Sequence, residues 1–283
     1  MAETTATVKP TTSVQAKKSS NIISLLAPVI CLVAGYVIWR FGLGNPTNFD
    51  KAGEGWFWPE REGPRSALSK MYLGGIIVPI LIGTFLTMCT FVIERFITIS
   101  KANGTGNNAD FIRKVQYQLA NKNIEAALAE CDKQKGSVGN VMKAGLHRYK
   151  EMVSNTELTT DQKVISIQKE VEEATSLELP MLEKNLVFLS TIASIATLLG
   201  LLGTVLGMIR AFSNLGADSG GAGAAAQLSV GISEALYNTA LGIGTSAFAI
   251  IFYNIFTTKI DGITYGIDES GFTLTQTFAS LYK

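Results

Sequence analysis

Four stretches of this 283-residue chain are apolar, almost free of charge, and as long as a bilayer is thick. A helix needs about 20 residues to cross the hydrocarbon core, and a backbone in lipid must satisfy its own hydrogen bonds. The stretches are Asn21 to Trp39 (NIISLLAPVICLVAGYVIW), Met71 to Ile93 (MYLGGIIVPILIGTFLTMCTFVI), Asn185 to Ile209 and Ala235 to Thr258. Pro28 and Pro79 fall inside the first two, where neighbouring helices can satisfy the freed backbone groups. The expected fold is an all-α membrane protein with four transmembrane helices. Charge is scarce, at 17% of residues against about a quarter in ordinary soluble domains. The formal net charge of +1 offers nothing to nucleic acid.

The first stretch is preceded by Lys17 and Lys18, as in a signal peptide. Its apolar run exceeds the usual ~7–15 residues, and it ends in WRFGLGNP rather than a small-x-small site. It is read as a retained helix. The expected divisions are a disordered tail (1–20), an N-terminal helix (21–43), a loop (44–70) and a second crossing (71–98). A helical domain (99–184), a third crossing (185–212), a short loop (213–226), a fourth crossing (227–258) and a C-terminal tail (259–283) follow.

Basic residues set the orientation. Lys9, Lys17 and Lys18 lie in the tail, about a dozen Lys and Arg lie between Ser100 and Lys184, and none lie between Asn214 and Ser233. Both termini and the long middle segment are therefore expected in the cytoplasm.

Between the first two crossings, Trp56, Phe57 and Trp58 of WFWPE have the chemistry of rings that settle at a membrane surface. In the middle segment, NGTGNNAD is a turn whose Asp110 could cap the helix FIRKVQYQLANKN. IEAALAECDKQ and KGSVGNVMKAGLHRYKEMV follow as short amphipathic helices. The only histidine, His147, sits beside Arg148 and Lys150 on a charged face. From Thr159 a charged helical pattern passes into the third crossing with only Pro180 to interrupt it. That predicts a rod reaching about 30 Å beyond the membrane. Cys31, Cys89 and Cys131 have no metal-ligand spacing, and no disulfide is expected.

The third crossing contains GLLGTVLGMIRAF, Gly200 to Phe212. Its glycines suggest a phosphate loop, but such a loop needs a lysine beside its Ser or Thr and a preceding strand. Both are missing. On a helix, Gly203 and Gly207 form a GxxxG pair that admits close approach of a neighbour. Ser190, Thr197 and Thr204 recur every seven residues, within about 40° of one another, and Ser194 joins them. The fourth crossing, GISEALYNTALGIGTSAFAIIFYN, carries Glu234, the only ionisable acid or base between Asp218 and Lys259. Gln227, Asn238 and Thr245 lie within about 40° of it, while Thr239 and Ser246 form a line roughly 120–140° round. Ordinary interhelical hydrogen bonding and an interfacial Glu capping a helix start are the plain alternatives. The functional one is a path for water and protons, since intramembrane charge is costly and usually functional. One chain has too few polar groups to ring a pore, which implies an oligomer.

At these residues the chain resembles the ExbB, TolQ and MotA family of inner-membrane proton-channel subunits, and is most similar to its ExbB branch. GLLGTVLGMIRAF resembles the family's penultimate crossing, and GISEALYNTALGIGTSAFAIIFYN the last, with its carboxylate-ALxxT-small-G core. ERF (Glu94 to Phe96) and LPMLEKNLVFLSTIAS are similar too, so the resemblance spans roughly 74–259. It implies five chains in a ring around the single transmembrane helices of an ExbD-like partner dimer, whose aspartate carries protons. It further implies a TonB-like energy transducer, transport across the outer membrane, residence in the bacterial inner membrane among its lipids, and no cofactor. Thr204, Glu234 and Thr239 match family positions, and Thr197 stands where many members have proline. With Asn238, these residues are the expected lining of the proton pathway. Gly200, Gly203, Gly207 and Gly242 are the expected close-packing positions.

The resemblance also covers a TolQ-like subunit for envelope maintenance and a flagellar or gliding stator. Four crossings are similar to MotA, but Glu234 in its ALxxT context favours ExbB or TolQ. A non-conducting scaffold is the alternative from another class. An enzyme would need converging His, Cys or paired carboxylates, and this chain has one histidine and isolated acids, so no catalysis and no metal are expected.

Overall fold

The computed structural model describes residues 21–53, 55–217 and 222–282, so the expected tail (1–20) lies outside them. Among the described residues the structure is helices joined by turns apart from one two-stranded ribbon, and four of these helices are long and apolar enough to cross a membrane. The first is α1 (Asn21–Val37), continued by a π-helical turn, Ile38–Leu43. The second is α3 (Ile77–Ala102), reached through strands β1 (Phe49–Ala52) and β2 (Arg61–Pro64) and the short helix α2 (Ala67–Leu73). The others are α8 (Leu186–Ala217) and α9 (Ala222–Leu281).

Packing among the crossings follows their small residues. α8 and α9 pair along their length, and α3 lies against both. α1 packs on α3, where Gly35 and Gly83 let the backbones meet. A Cβ on Gly35 would stand 2.6 Å from the Gly83 nitrogen, and one on Gly83 would stand 2.8 Å from the Leu32 Cα. The outer face of α1 stays open, with Leu25, Val29, Ile30 and Val33 exposed, as lipid contact requires.

Between the second and third crossings lie α4 (Asn108–Ala120), α5 (Ile124–Gln134), α6 (Gly136–Ser154) and α7 (Thr160–Glu183). α4 is capped by Asn107, whose Oδ1 accepts from the Ala109 N–H at 3.0 Å, and Asp110 sits inside the first turn. The sequence had placed the cap on Asp110. An acid in the first turn still complements the helix dipole. α7 opens on a capping box, in which Thr159 and Gln162 satisfy each other's backbone N–H. His147 is exposed. Val141, Leu146, Tyr149 and Ile167 of this layer share one apolar core with Met88 and Phe91 of α3 and Leu189 of α8.

Two features depart from the sequence reading. The rod expected from Thr159 into the third crossing is broken at Lys184 and Asn185, and the Asn185 backbone is left-handed, with φ +68. Asparagine is among the few residues that tolerate this region. Pro180 lies inside α7 and does not end it. Conversely, residues 259–281, expected as a tail, continue α9 without interruption, giving 60 residues or about 90 Å of helix. Phe256, Ile260, Ile263, Ile267, Leu274 and Phe278 recur at helical spacing, and all are buried against the helical layer. That stripe, rather than propensity, holds a glycine- and threonine-rich segment helical.

The break is fixed from α3. The Arg95 guanidinium is 2% exposed and pairs with the neighbouring Glu94 carboxylate through Nε at 2.6 Å and Nη2 at 2.5 Å. Its Nη1 donates to Leu182 O at 3.1 Å and Met181 O at 3.4 Å, so it serves the orphan carbonyls at the end of α7. Asn185 Nδ2 and Thr98 Oγ1 donate to the same carboxylate at 3.3 and 3.2 Å. Glu94 and Arg95 thus form a clasp across the α7–α8 corner. Arg95→Met is expected to lower stability by about 2 kcal/mol, the order lost with hydrogen bonds to a charged group. Thermal unfolding in detergent, compared with Ile97→Met on the exposed face of the same helix, measures it.

Candidate functional site

The seam between α8 and α9 is built from small residues that face each other. Gly200, Gly203 and Gly207 of α8 lie on one face with Ala196 and Ala211, since steps of three, four and seven return to one side of a helix. A Cβ on Gly203 would stand 2.6 Å from the Asn238 Cβ, and one on Gly207 would stand 2.8 Å from the Ala235 Cβ. From α9, a Cβ on Gly242 would stand 2.5 Å from Ala196 O and 2.7 Å from the Gly200 Cα. All four glycines expected at close-packing positions therefore lie in this seam.

Two hydroxyls of α9 are spent on the same seam. Thr239 Oγ1 donates to Gly200 O at 3.1 Å, and Ser246 Oγ donates to Ala193 O at 2.5 Å. Close approach frees backbone carbonyls of one helix to accept across the interface, as in other small-residue membrane contacts. Asn238 is 1% exposed, and its Nδ2 donates to Gly74 O at 3.1 Å, tying α9 to the turn between α2 and α3. Its Oδ1 has no donor among the described residues. Thr245 is buried and bonds back to Leu241 O of its own helix at 2.8 Å.

The hydroxyl stripe of α8 runs beside the seam rather than within it. Thr204 is half-buried, donates to Leu201 O at 2.6 Å, and lies on a concave surface with Val205, Met208, Ile209 and Phe212. Thr197 is half-buried on the same strip. Ser190 and Ser194 bond to carbonyls of their own helix, at 3.0 Å to Val187 O and 3.4 Å to Ser190 O. The strip is flanked by exposed Leu198, Leu201 and Val205.

Glu234 lies on the opposite flank of α9. It lines a cavity of about 160 Å³ with Pro64, Lys70, Leu73, Ser229, Val230 and Ser233, room for a few waters. The next residue, Ala235, is the one packed on Gly207. The carboxylate is therefore one position away from the seam. Arg210 of α8 donates through Nη1 to Leu73 O at 3.4 Å, and would meet a Cβ on Gly75 at 2.9 Å, so it is seated on the turn that walls this cavity. Lys70 and Arg210 were not singled out in the sequence. Lys70 belongs to the inter-crossing loop, and Arg210 lies just past the charge-free window. Nothing in periodicity along one helix reports what a separate loop folds against. The side chain of Gln227 lies outside the described residues.

The structure thus gathers Gly200, Gly203, Gly207, Gly242, Asn238 and Thr239 at one interface. Thr204 with Thr197 and Glu234 lie on two separate flanks of it. Among the described residues, His, Cys, Asp and Glu do not gather in threes as a metal centre would require.

The sequence of this seam has known counterparts. The family model for the MotA/TolQ/ExbB proton channel family matches residues 133–269, from the end of α5 to the lower half of α9. Over these residues the chain carries that family's sequence pattern. It is 41% identical over 86 residues to the putative biopolymer transport protein ExbB-like 3 of Synechocystis, covering 30% of this chain and 41% of that one. It is 39% identical over 101 residues to the Tol-Pal system protein TolQ of Haemophilus influenzae, covering 34% and 43%. It is 45% identical over 80 residues to the biopolymer transport protein ExbB of Helicobacter pylori, covering 28% and 54%. The chain therefore spans well under two thirds of the length of these relatives. α1, the ribbon and α3 with its ERF lie before the interval that the MotA/TolQ/ExbB model matches. With four membrane-length helices among the described residues, the protein is a multi-pass membrane protein.

Proposed function

We propose that this chain is the channel subunit of an ExbB–ExbD type motor in a bacterial inner membrane. It would use the proton-motive force to drive a TonB-like protein and active transport across the outer membrane. The observation that carries this reading is a carboxylate, Glu234, in a small cavity shared with Lys70, Ser229 and Ser233, one residue from the glycine-packed seam of two membrane-length helices. An acid at such a place is costly and marks an ion or proton route by default.

The half-buried hydroxyl strip of α8 gives one chain a polar flank with no enclosed path, which supports a ring of copies. Five copies around an ExbD-like dimer is the arrangement we propose, with Glu234, Thr204 and Thr197 along the proton route. Asn238 offers that route a buried amide oxygen, while Thr239 ties the seam beside it. In this reading the ribbon faces the periplasm, and the helical layer and both termini face the cytoplasm, where the basic residues concentrate. A TolQ-like role in envelope maintenance is the second reading, favoured by the similarity to TolQ proteins of Haemophilus influenzae and Pseudomonas aeruginosa.

The test is reconstitution with the single-span partner. The complex in liposomes should conduct protons under an imposed pH gradient. A complex that assembles and conducts none would reduce the chain to a scaffold. Thr204→Val should cut that flux severalfold with assembly intact. Thr239→Val should lower thermal stability, by about 0.6–1.7 kcal/mol for a lost interhelical hydrogen bond. Unchanged flux in Thr204→Val would make Thr204 a packing residue. Rescue of an ExbB-deficient or a TolQ-deficient strain separates the two readings.

A further inference from the structure

The segment between the ribbon strands carries two rings that the described residues leave largely open. Trp56 is 95% exposed and Phe57 67% exposed. Large exposed rings on a well-ordered support mark a contact surface, and this support is well built. Arg61, 8% exposed, donates through Nε to Gly44 O at 3.2 Å and through Nη1 to Gly53 O at 2.8 Å and Glu60 O at 3.2 Å. Tyr72 donates its hydroxyl to Pro59 O at 2.8 Å. Fully buried Trp39 stacks on Tyr72 at 4.4 Å and meets Trp58 at 4.2 Å. The loop is thus held from behind by polar and aromatic contacts while its tip points away from them.

Its position relative to α1 decides what the tip meets. Tyr36 of α1 donates its hydroxyl to Phe57 O at 2.6 Å, and the two rings stack at 5.1 Å. Arg40 Nη2 donates to Gly55 O at 3.3 Å. Tyr36 lies seven residues inside the apolar run that ends at Leu43, about 10 Å along the helix. The loop therefore folds back alongside a membrane-length helix instead of projecting beyond it. Val29, Val33 and Tyr36 lie on one stripe of α1 by spacing, Arg40 follows in the π-helical turn, and Val29 and Val33 are exposed apolar residues. The rings hang over the same face that lower down presents Val29 and Val33. Phe41, 67% exposed with the Arg40 guanidinium 5.4 Å from its ring centroid, extends the aromatic patch.

We propose that residues 55–58 form an interfacial membrane anchor, with Trp56 and Phe57 inserted among phospholipid acyl chains just below the headgroups. Arg40 lies at phosphate height beside them. Tryptophan and its aromatic neighbours favour that depth because an apolar ring and a polar edge are served at once. Arginine stems can lie along the apolar layer while the head reaches the phosphates. The bilayer is the occupant the geometry selects, because the loop continues an unpartnered aliphatic face of α1. The anchor would fix the depth of the ribbon and of α1.

Tryptophan fluorescence tests this directly, because the chain has three tryptophans and Trp56, the most exposed of them, can be replaced singly. The full-length protein and Trp56→Ser are compared in nanodiscs of phosphatidylethanolamine and phosphatidylglycerol, with plain or dibrominated acyl chains. The difference between the two proteins isolates the Trp56 emission. Brominated chains should remove most of it, and aqueous acrylamide should quench it poorly. Equal emission in both lipids with strong acrylamide quenching would place Trp56 in water and overturn the proposal. Equal emission protected from both quenchers would place it against a second copy or another protein and overturn it equally.

Discussion

In the proposed motor, Glu234→Ala is expected to abolish transport energised by the proton-motive force while leaving the proposed complex assembled. The loss should be on the order of a hundredfold or more, the scale on which a positioned proton donor or acceptor contributes. Glu234 is the only ionisable acid or base between Asp218 and Lys259, and it lines a small cavity beside Lys70, Ser229 and Ser233. Removing it empties that cavity of its acid without touching the glycine contacts of the seam, where the neighbouring Ala235 rather than Glu234 meets Gly207. Uptake measured beside co-purification of the complex reads both consequences. Full uptake in an assembled Glu234→Ala complex would end the case for a proton route at this residue. Glu234→Gln keeps the volume and polarity of the side chain but cannot exchange a proton, so it should be as inactive as the alanine. If the glutamine protein works, Glu234 acts by packing.

The spanning helices were legible because lipid imposes one requirement over about 20 residues, and composition reports it without help from tertiary structure. The seam was legible at residue level for a similar reason, since GxxxG and seven-residue spacing are properties of a single helix. What each polar residue faces was not legible. Thr204 and Thr239 are equivalent in sequence terms, yet one bonds to its own helix at Leu201 O and the other across the seam to Gly200 O. The difference depends on the rotation of α9 against α8, which a wheel drawn for each helix leaves undetermined. The corner at Asn185 was hidden because the clasp that holds it comes from Glu94 and Arg95, some 90 residues away. The lower half of α9 was hidden because its glycines and threonines argue against a helix, and its buried stripe has meaning only once the helical layer exists to cover it.

The second large effect concerns Gly242, and it tests the seam rather than the route. Each glycine within a helix costs about 1 kcal/mol relative to alanine, so four in one interface need a compensating contact. At Gly242 the contact is with backbone. A Cβ there would meet Ala196 O at 2.5 Å, the Gly200 Cα at 2.7 Å and the Gly200 nitrogen at 3.0 Å, and none of these atoms can swing aside. Gly200 is looser, with its nearest atoms 3.1–3.3 Å from such a Cβ. Gly242→Leu should therefore drive α8 and α9 apart, break the Thr239 and Ser246 hydrogen bonds, and cost about 3 kcal/mol or more, the upper range for overpacking. Gly200→Ala should cost less than Gly242→Ala. Gly244, two residues along, has nothing within 4 Å of an added Cβ, so Gly244→Ala should be neutral or stabilising by up to about 1 kcal/mol. Thermal unfolding of the four proteins in detergent orders them. If Gly244→Ala proved as damaging as Gly242→Ala, helix propensity or another interface, and not the approach of α8 to α9, would set the need for glycine.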